Sequence, residues 1–534
     1  MAVTLVNTDN VVDDASLAID TPTNMTAISF AGRTFLYVLG SFDDGFSVFE
    51  LDTDGTLTNR ENVTDGGPLH LVNSIGSTTV DGQPFLFTSG DNGFSAYIPL
   101  ASGFVFNYDN VADADDPDFF LQDIRSFASA TIGDRTFLFA SSVGDDGLNS
   151  FEIGPDGALT KRDNITDGGV LNLNGAWPVT TASVSGTTYL FVGGFLDDGI
   201  SVFSINFDGE MTNVFNIDDS QDPDLQLESP IAMSTATVGN KTFLFAASAG
   251  EDAVSVFEIA ANGALTLVDT VADDATLELL GTQALTTAEI AGTTYVFVAG
   301  ILDNGFSVFA VAADGTLVNV ANVDDSDNVN LLLDSIWALT VTSVGNTAFV
   351  AASGNTDDGV SVFRVDTTGL TINGTGGSDV INAMNAPAGE LLPGDLGDVI
   401  SGFGGNDTLE GLGGNDTLTG GAGRDILLGG AGRDLFNFDA PSETKKGSQR
   451  DKIMDFQRGQ DDIDLRTIDA KTGVSGNNAF KFIGKQDFHD VRGELRYEDK
   501  GSTVIVQGDR NGDGKADFEI FVAVGALSRG DFLL

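Results

Sequence analysis

The stretch GFGGNDTLE GLGGNDTLT GGAGRDILL GGAGRDLFN, residues 402–437, together with the copy just before it, sets Asp398, Asp407, Asp416, Asp425 and Asp434 nine residues apart. In each unit the glycine-rich half can turn tightly and point its carbonyls inward. The aspartate adds a hard anionic oxygen, and a short strand places one apolar residue in a core shared with the neighbouring copies. Those core residues are Ile400, Leu409, Leu418, Leu427 and Phe436. Two nonapeptides make one turn of a parallel β-roll, so loops 18 residues apart stack on the same side. Asp398, Asp416 and Asp434 are then expected along one side, and Asp407 and Asp425 along the other.

Calcium takes roughly six to eight oxygens, more than one such loop supplies but within reach of two stacked loops. The expected donors are the five aspartates, with main-chain oxygens from the segments of Gly402, Gly404, Gly411, Gly413, Gly420, Ala422, Gly429 and Ala431. Asp379, in the early copy GTGGSDVIN, is a further candidate. It lies 19 residues before Asp398 rather than 18, so the intervening segment with Pro387 and Pro393 is expected to bulge out. Phe403 and Leu412 replace the second glycine of the motif and Asp398 sits in the poor copy PGDLGDVIS, so weaker binding is expected at those loops.

Upstream, one phrase recurs with a period near 52: SFDDGFSVFEL at Ser41, VGDDGLNSFEI at Val143, FLDDGISVFSI at Phe195, AGEDAVSVFEI at Ala249, ILDNGFSVFAV at Ile301 and NTDDGVSVFRV at Asn355, with a divergent copy, SGDNGFSAYIP, at Ser89. Each of the seven repeats reads as four short strands, for example 179–184, 188–192, 200–205 and 211–217, separated by turn signals. Four-stranded units of this length are propeller blades. The seventh repeat stops at Gly369 after three strands. The missing fourth is expected from residues 2–12, AVTLVNTDNVV, which match ALTLVDTVA of repeat five and would close the ring. The expected fold is therefore all-β: a seven-bladed propeller (1–369), a parallel β-roll (370–438) and a β-rich cap (439–534).

Composition sets further bounds. Hydrophobic content of 41 % with 39 Phe supports sizeable cores. A net charge of −54 makes nucleic acid and anionic membrane surfaces poor partners and cations natural ones. With no cysteine, disulfides and thiolate metal sites are excluded. No window reaches the apolar length of a membrane span, and the N-terminus has no basic and apolar leader, so an export address is expected at the C-terminus.

The nonapeptides resemble those of the RTX (hemolysin-type) family. Beyond them LFNFDAPSE at Leu435, RDKIMDFQRGQDDIDLRTIDA at Arg450, GELRYE at Gly493, GDRNGDGKADFEI at Gly508 and SRGDFLL at Ser528 resemble the C-terminal domain of serralysin-type secreted proteins. The resemblance implies a calcium-loaded roll and export to the extracellular space or cell surface by type I secretion machinery, through an uncleaved signal at the apolar terminus ending in Leu534. The protease of that family is absent: an HExxH zinc motif needs paired histidines, and this chain has only His70 and His489. A second calcium loop is a candidate in the cap, with Asp509, Asn511, Asp513, Lys515 and Asp517 at EF-hand positions 1, 3, 5, 7 and 9. Position 12 is Ile520 rather than Glu, and an Asx-rich turn is the competing reading.

Within the propeller, TFLFAASAGEDAVSVFEI with the following ANGALT resembles the lactonase-like propellers in scaffold and repeat style. The repeated acids of the DDG turns and of the Asn-Val/Ile-x-Asp phrases fall on one face. They admit two readings, turn structure or a ring of weak cation sites. Trp177 and Trp337 are expected near the axial opening, where other repeats have Met25 or Leu285, either to stack on sugars or to fill core. Candidates for a hydrolase are His70, Arg125, Glu228 and Glu289. The leading expectation is a secreted calcium-binding protein whose propeller is a binding or adhesion module for extracellular carbohydrate or a surface protein. A lactonase-like hydrolase and a calcium-linked surface or matrix protein are the alternatives.

Overall fold

A computed structural model of the chain describes residues 3–14, 16–64, 73–116, 118–220, 222–328 and 330–534. Within 3–367 the described residues form seven four-stranded antiparallel sheets arranged as a propeller. In each blade the two middle strands are almost wholly buried, as in Arg33–Gly40 and Gly45–Leu51, because both faces pack against neighbouring blades. Their sequences are accordingly short continuous apolar runs. The outer strand, as in Leu57–Thr64, is largely polar and exposed. Blade four shows the expected division: Ala176–Val184, Thr187–Gly194, Gly199–Ile205 and Met211–Asp218.

The ring closes as the ends of the repeat region predict. Val3–Val12 pairs antiparallel with Gly359–Thr367, running from Val3 opposite Thr367 to Val12 opposite Gly359, and becomes the outer strand of the seventh blade.

The C-terminal part is built on two parallel sheets. One runs through Thr371–Asn373, Val399–Ser401, Thr417–Thr419, Leu435–Asn437, Asp462–Asp464 and Phe532–Leu533. The other runs through Val380–Ile381, Thr408–Glu410, Ile426–Leu428, Asp451–Ile453 and Phe518–Val522, then turns into the cap strands Val504–Asp509, Glu494–Asp499 and Lys481–Gly484. Ile400, Leu409, Leu418, Leu427 and Phe436 are fully buried between the sheets, as their spacing requires. Ile372, Ile381, Ile453 and Ile463 continue the same column at both ends.

Residues 382–397 leave the roll, as the extra spacing predicts, and settle on the propeller. Asp395 N–H donates to Ala291 O (3.1 Å), Ala313 N–H to Glu390 O (3.1 Å) and Gly389 N–H to Asp314 Oδ2 (3.0 Å). Leu392 joins the propeller core beside Val238, Phe243 and Leu317, while Leu391 packs against both the roll core and the propeller core. These contacts fall on turns between first and second strands and between third and fourth strands. That is the face opposite the DDG turns.

Candidate functional site

The roll aspartates form two ladders. On one side Asp398 N–H donates to Asp416 Oδ1 (2.7 Å) and Asp416 N–H to Asp434 Oδ1 (3.0 Å). On the other, Asp379 N–H donates to Asp407 Oδ1 (2.9 Å) and Asp407 N–H to Asp425 Oδ1 (2.8 Å). Each carboxylate is thus pinned by one oxygen to the loop a full turn earlier. The second oxygen differs. Oδ2 of Asp407, Asp416, Asp425 and Asp434 is buried without any hydrogen-bond partner. A buried anionic oxygen without a donor is costly, and burial accordingly pushes the carboxyl of Asp416 up to about 7 and that of Asp425 up to about 6.

The glycines give the space beside these oxygens. A side chain at Gly402, Gly411 or Gly429 would run into Oδ2 of Asp407, Asp416 or Asp434, and one at Gly420 would reach within 2.6 Å of Asp425 Oδ2. Unpaired carboxylate oxygens beside carbonyl-rich loops match what a hard divalent cation takes as ligands. Among the described residues no three His, Cys, Asp or Glu side chains gather as a metal cluster. What each of the four loops offers instead is a single carboxylate with one unpaired oxygen, at Asp407, Asp416, Asp425 and Asp434. The ends of the ladders are different: both oxygens of Asp398 accept amides, from Leu370 and Gly394, and both of Asp379 accept from Thr375. Phe403 and Leu412 hold left-handed φ of 63° and 72° where the later copies have Gly421 and Gly430.

Three carboxylates that the period-nine reading missed extend the ladders into the cap. Asp425 N–H donates to Asp451 Oδ1 (2.8 Å), Asp434 N–H to Asp461 Oδ1 (3.1 Å), and Asp455 takes the amides of Gly429 and Gly430. Burial pushes Asp451 up to about 8. The signal was present: Asp451-Lys452-Ile453 and Asp461-Asp462-Ile463 repeat the Asp-x-apolar phrase, at spacings of 26 and 27 instead of 18.

In the loop at Asp509, both carboxylate oxygens accept main-chain amides, from Gly512 (2.7 Å) and Gly514 (2.9 Å). Asp517 accepts from Arg510 and Asn511, Asn511 from the amide of Asp513, and Asp513 from that of Lys515. This is the hydrogen-bonding of an Asx-rich turn.

Most of the repeated acids of the propeller hold main-chain amides, although Oδ1 of Asp13 and of Asp219 and Oε2 of Glu251 are buried without a hydrogen-bond partner. The first Asp of each DDG turn accepts an amide from its own blade's entry loop: Asp20 to Asp43, Gln122 to Asp145, Asn174 to Asp197 and Asp334 to Asp357. The second reaches the next blade's loop, Gly175 to Asp146, Ser229 to Asp198, Gly281 to Asp252 and Thr21 to Asp358. The Asp ending the Asn-Val/Ile-x-Asp phrase holds the amide of a buried leucine: Leu121 to Asp113, Leu227 to Asp219 and Leu333 to Asp325. These acids tie blade to blade.

On the DDG face the axis opens into a cavity of about 470 Å³. One register position of every blade lines it: Thr23, Asn73, Arg125, Trp177, Ile231, Gln283 and Trp337. In six blades this residue falls where the pairing of the innermost strand slips by a bulge, as between Ile124 and Ser126 or Ile336 and Ala338; Asn73 lies just before the innermost strand of blade two. Trp177 and Trp337 do reach the mouth, but the residues they replace are Thr23 and Gln283. Met25 and Leu285 align with Val179 and Leu339, two positions further on. Arg125 lies over the Trp177 ring (5.0 Å) and pairs with Asp123 (2.9 Å), and Trp177 leans on Phe195 (5.5 Å).

The three hydrolase candidates among the described residues do not converge. Arg125 is in the mouth, Glu228 packs on Gly250 in an entry loop, and Glu289 lines a second cavity on the opposite face, beside Pro393 and Asp395. His70 lies outside the described residues.

Comparison with known proteins gives two family matches. Residues 360–534 match "Peptidase M10 serralysin C terminal", and residues 127–378 match "Lactonase, 7-bladed beta-propeller". No match was found among curated proteins. Similar solved structures include a putative 6-phosphogluconolactonase from Bacteroides fragilis (14 % identity, 64 % of this chain, 98 % of that one, TM-score 0.46). A protein from Lactobacillus plantarum is also similar (15 %, 57 % and 84 %, TM-score 0.41). The chain is a composite, in which a seven-bladed propeller of the lactonase type is joined to an RTX-type C-terminal domain of the serralysin kind.

Proposed function

We propose that this is an exported protein whose C-terminal part condenses on calcium outside the cell, and whose propeller is a binding module carried by that part. The reading treats residues 1–369, 370–438 and 439–534 as propeller, roll and cap. The observation that carries it is the set of four buried, unpaired Oδ2 atoms at Asp407, Asp416, Asp425 and Asp434. These four residues would hold the ions, with carbonyls of the glycine-rich loops. Calcium supplies the positive charge and oxygen affinity that these carboxylates lack in the protein itself. The serralysin-type match supports export by type I secretion machinery, with the C-terminal residues as the address. In calorimetry of chelated protein, calcium should bind with several ions per chain, and Asp416→Asn should remove part of the heat. Absence of any calcium heat sinks the reading.

Adhesion or binding by the propeller is supported by where its mouth lies. It opens on the face away from the docked 382–397 segment, with a bulged, blade-specific residue at each station. The lactonase-type match favours a second reading, an ester or lactone hydrolase. Of the four candidates for it, only Arg125 lines the mouth among the described residues. Turnover of lactones above the uncatalysed rate, lost in Arg125→Ala, would establish the second reading over the first.

A further inference from the structure

We infer that the propeller mouth binds a neutral saccharide, with Trp177 and Trp337 as its stacking faces. The inference rests on the reading of the propeller as a binding module and adds the class of ligand.

Repetition shows what the scaffold itself demands. Two residues beyond the bulged station every blade is apolar: Met25, Ile75, Phe127, Val179, Met233, Leu285 and Leu339. At the station itself the seven residues are Thr, Asn, Arg, Trp, Ile, Gln and Trp, and no common packing requirement accounts for such a set. A bulge turns its residue away from the regular pleat, a device found beside functional sites. All seven stations line one cavity.

The chemistry of that set is selective. No carboxylate, histidine or lysine lines the mouth among the described residues, and its one charge, Arg125, is paired with Asp123 and stacked on Trp177. An anion finds no free cation there and meets a chain of net charge −54; a cation finds no free carboxylate. The indoles of Trp177 and Trp337 come from blades four and seven, three blades apart and so nearly opposite across the opening. Between them stand neutral amides, Asn73 and Gln283 at the stations with Asn24 and Asn355 beside them. Flat apolar faces with amide donors and acceptors around them suit a pyranose ring, which has an apolar C–H face and a rim of hydroxyls. The volume of about 470 Å³ is that of a small-molecule pocket.

The chain has two tryptophans and both line this cavity, so intrinsic emission reports the mouth directly. The full chain in calcium is titrated with neutral gluco-, manno-, galacto- and chito-oligosaccharides, and in parallel with polyuronates and sulfated oligosaccharides. At least one neutral sugar should give a saturable change in emission. By calorimetry its affinity should fall about tenfold in Trp337→Ala, recover in part in Trp337→Phe, and fall by a smaller factor in Gln283→Ala. Unchanged thermal unfolding of the propeller in Gln283→Ala separates loss of contact from loss of fold. Saturation by the anionic sugars in preference to the neutral ones overturns the ligand class while leaving a binding mouth. No saturable change with any sugar overturns the inference, and calcium calorimetry of the roll then decides the rest of the functional reading independently.

Discussion

Propeller and roll are both rich in aspartate, yet they arrange it differently. In the propeller a repeated carboxylate finds amide donors on its own blade or the next, as Asp197 does with Asn174 and Asp198 with Ser229. In the roll, Asp416 and its three counterparts satisfy one oxygen and bury the other unpaired. The difference lies in repetition: the roll leaves one carboxylate oxygen buried and unpaired in each of four successive nonapeptide loops, whereas among the described residues the propeller does so only at Asp13, Asp219 and Glu251.

The largest effect expected from this contrast is regional. In a chelating buffer, hydrogen exchange should become fast across the roll strands from Val399 to Asn437 while the blades stay protected; equal protection of both regions, with or without chelator, would break the contrast. Next in size is a matched pair of substitutions. Asp416→Asn should raise the calcium concentration needed for folding by about tenfold, since ligand charge sets affinity in such sites. Asp197→Asn keeps an acceptor for Asn174 and should cost about 1 kcal/mol or less in thermal unfolding, independent of calcium.

A smaller effect concerns pH. Burial, reinforced by neighbouring acids, pushes Glu278 up to about 7 and Asp325 up to about 6, and Asp219 rises to about 6 for the same first reason. Unfolded carboxyls titrate near pH ~4. The folded propeller thus holds protons that the unfolded chain has released, and its stability is full below that point and declines as pH rises through about 6 to 7. Melting of the chelated protein followed by tryptophan emission should be higher at pH 5 than at pH 8, and Glu278→Gln should flatten the difference. The smallest change expected is at Phe403, more than half exposed with φ 63°. Phe403→Gly should stabilise the loaded roll by about 0.5 kcal/mol, relief of a left-handed φ outweighing the entropy added to the unfolded chain; a loss of stability would mean that its ring packs more than its exposure suggests.

Much of this was legible in the sequence because both halves repeat. The blade count, the closing strand, the five buried core residues and the two-sided ladder all follow from period and phrase. Asp451, Asp455 and Asp461 were not read because their loops are longer than the nonapeptide, so a search at fixed spacing passes over them. The bulged stations were hidden for a related reason: a bulge inserts a residue, and strand alternation counted across it slips. The match of Trp177 and Trp337 to Met25 and Leu285 is a separate two-residue misalignment that the sequence itself corrects, since Thr23, Trp177, Gln283 and Trp337 each stand 20 residues before the first Asp of their own turn, Asp43, Asp197, Asp303 and Asp357.

The strand that seals the propeller has a kinetic meaning. Val3–Val12 is made before the rest of the ring, but its partner Gly359–Thr367 is the last piece of the ring to leave the ribosome and is joined within a few residues to the first strand of the roll, Thr371–Asn373. Contacts this distant along the chain form late, since the entropy of so wide a loop must be overcome before any pairing repays it. Until then the nascent protein is an unlatched arc, and the final latch is set at the very seam where the roll begins.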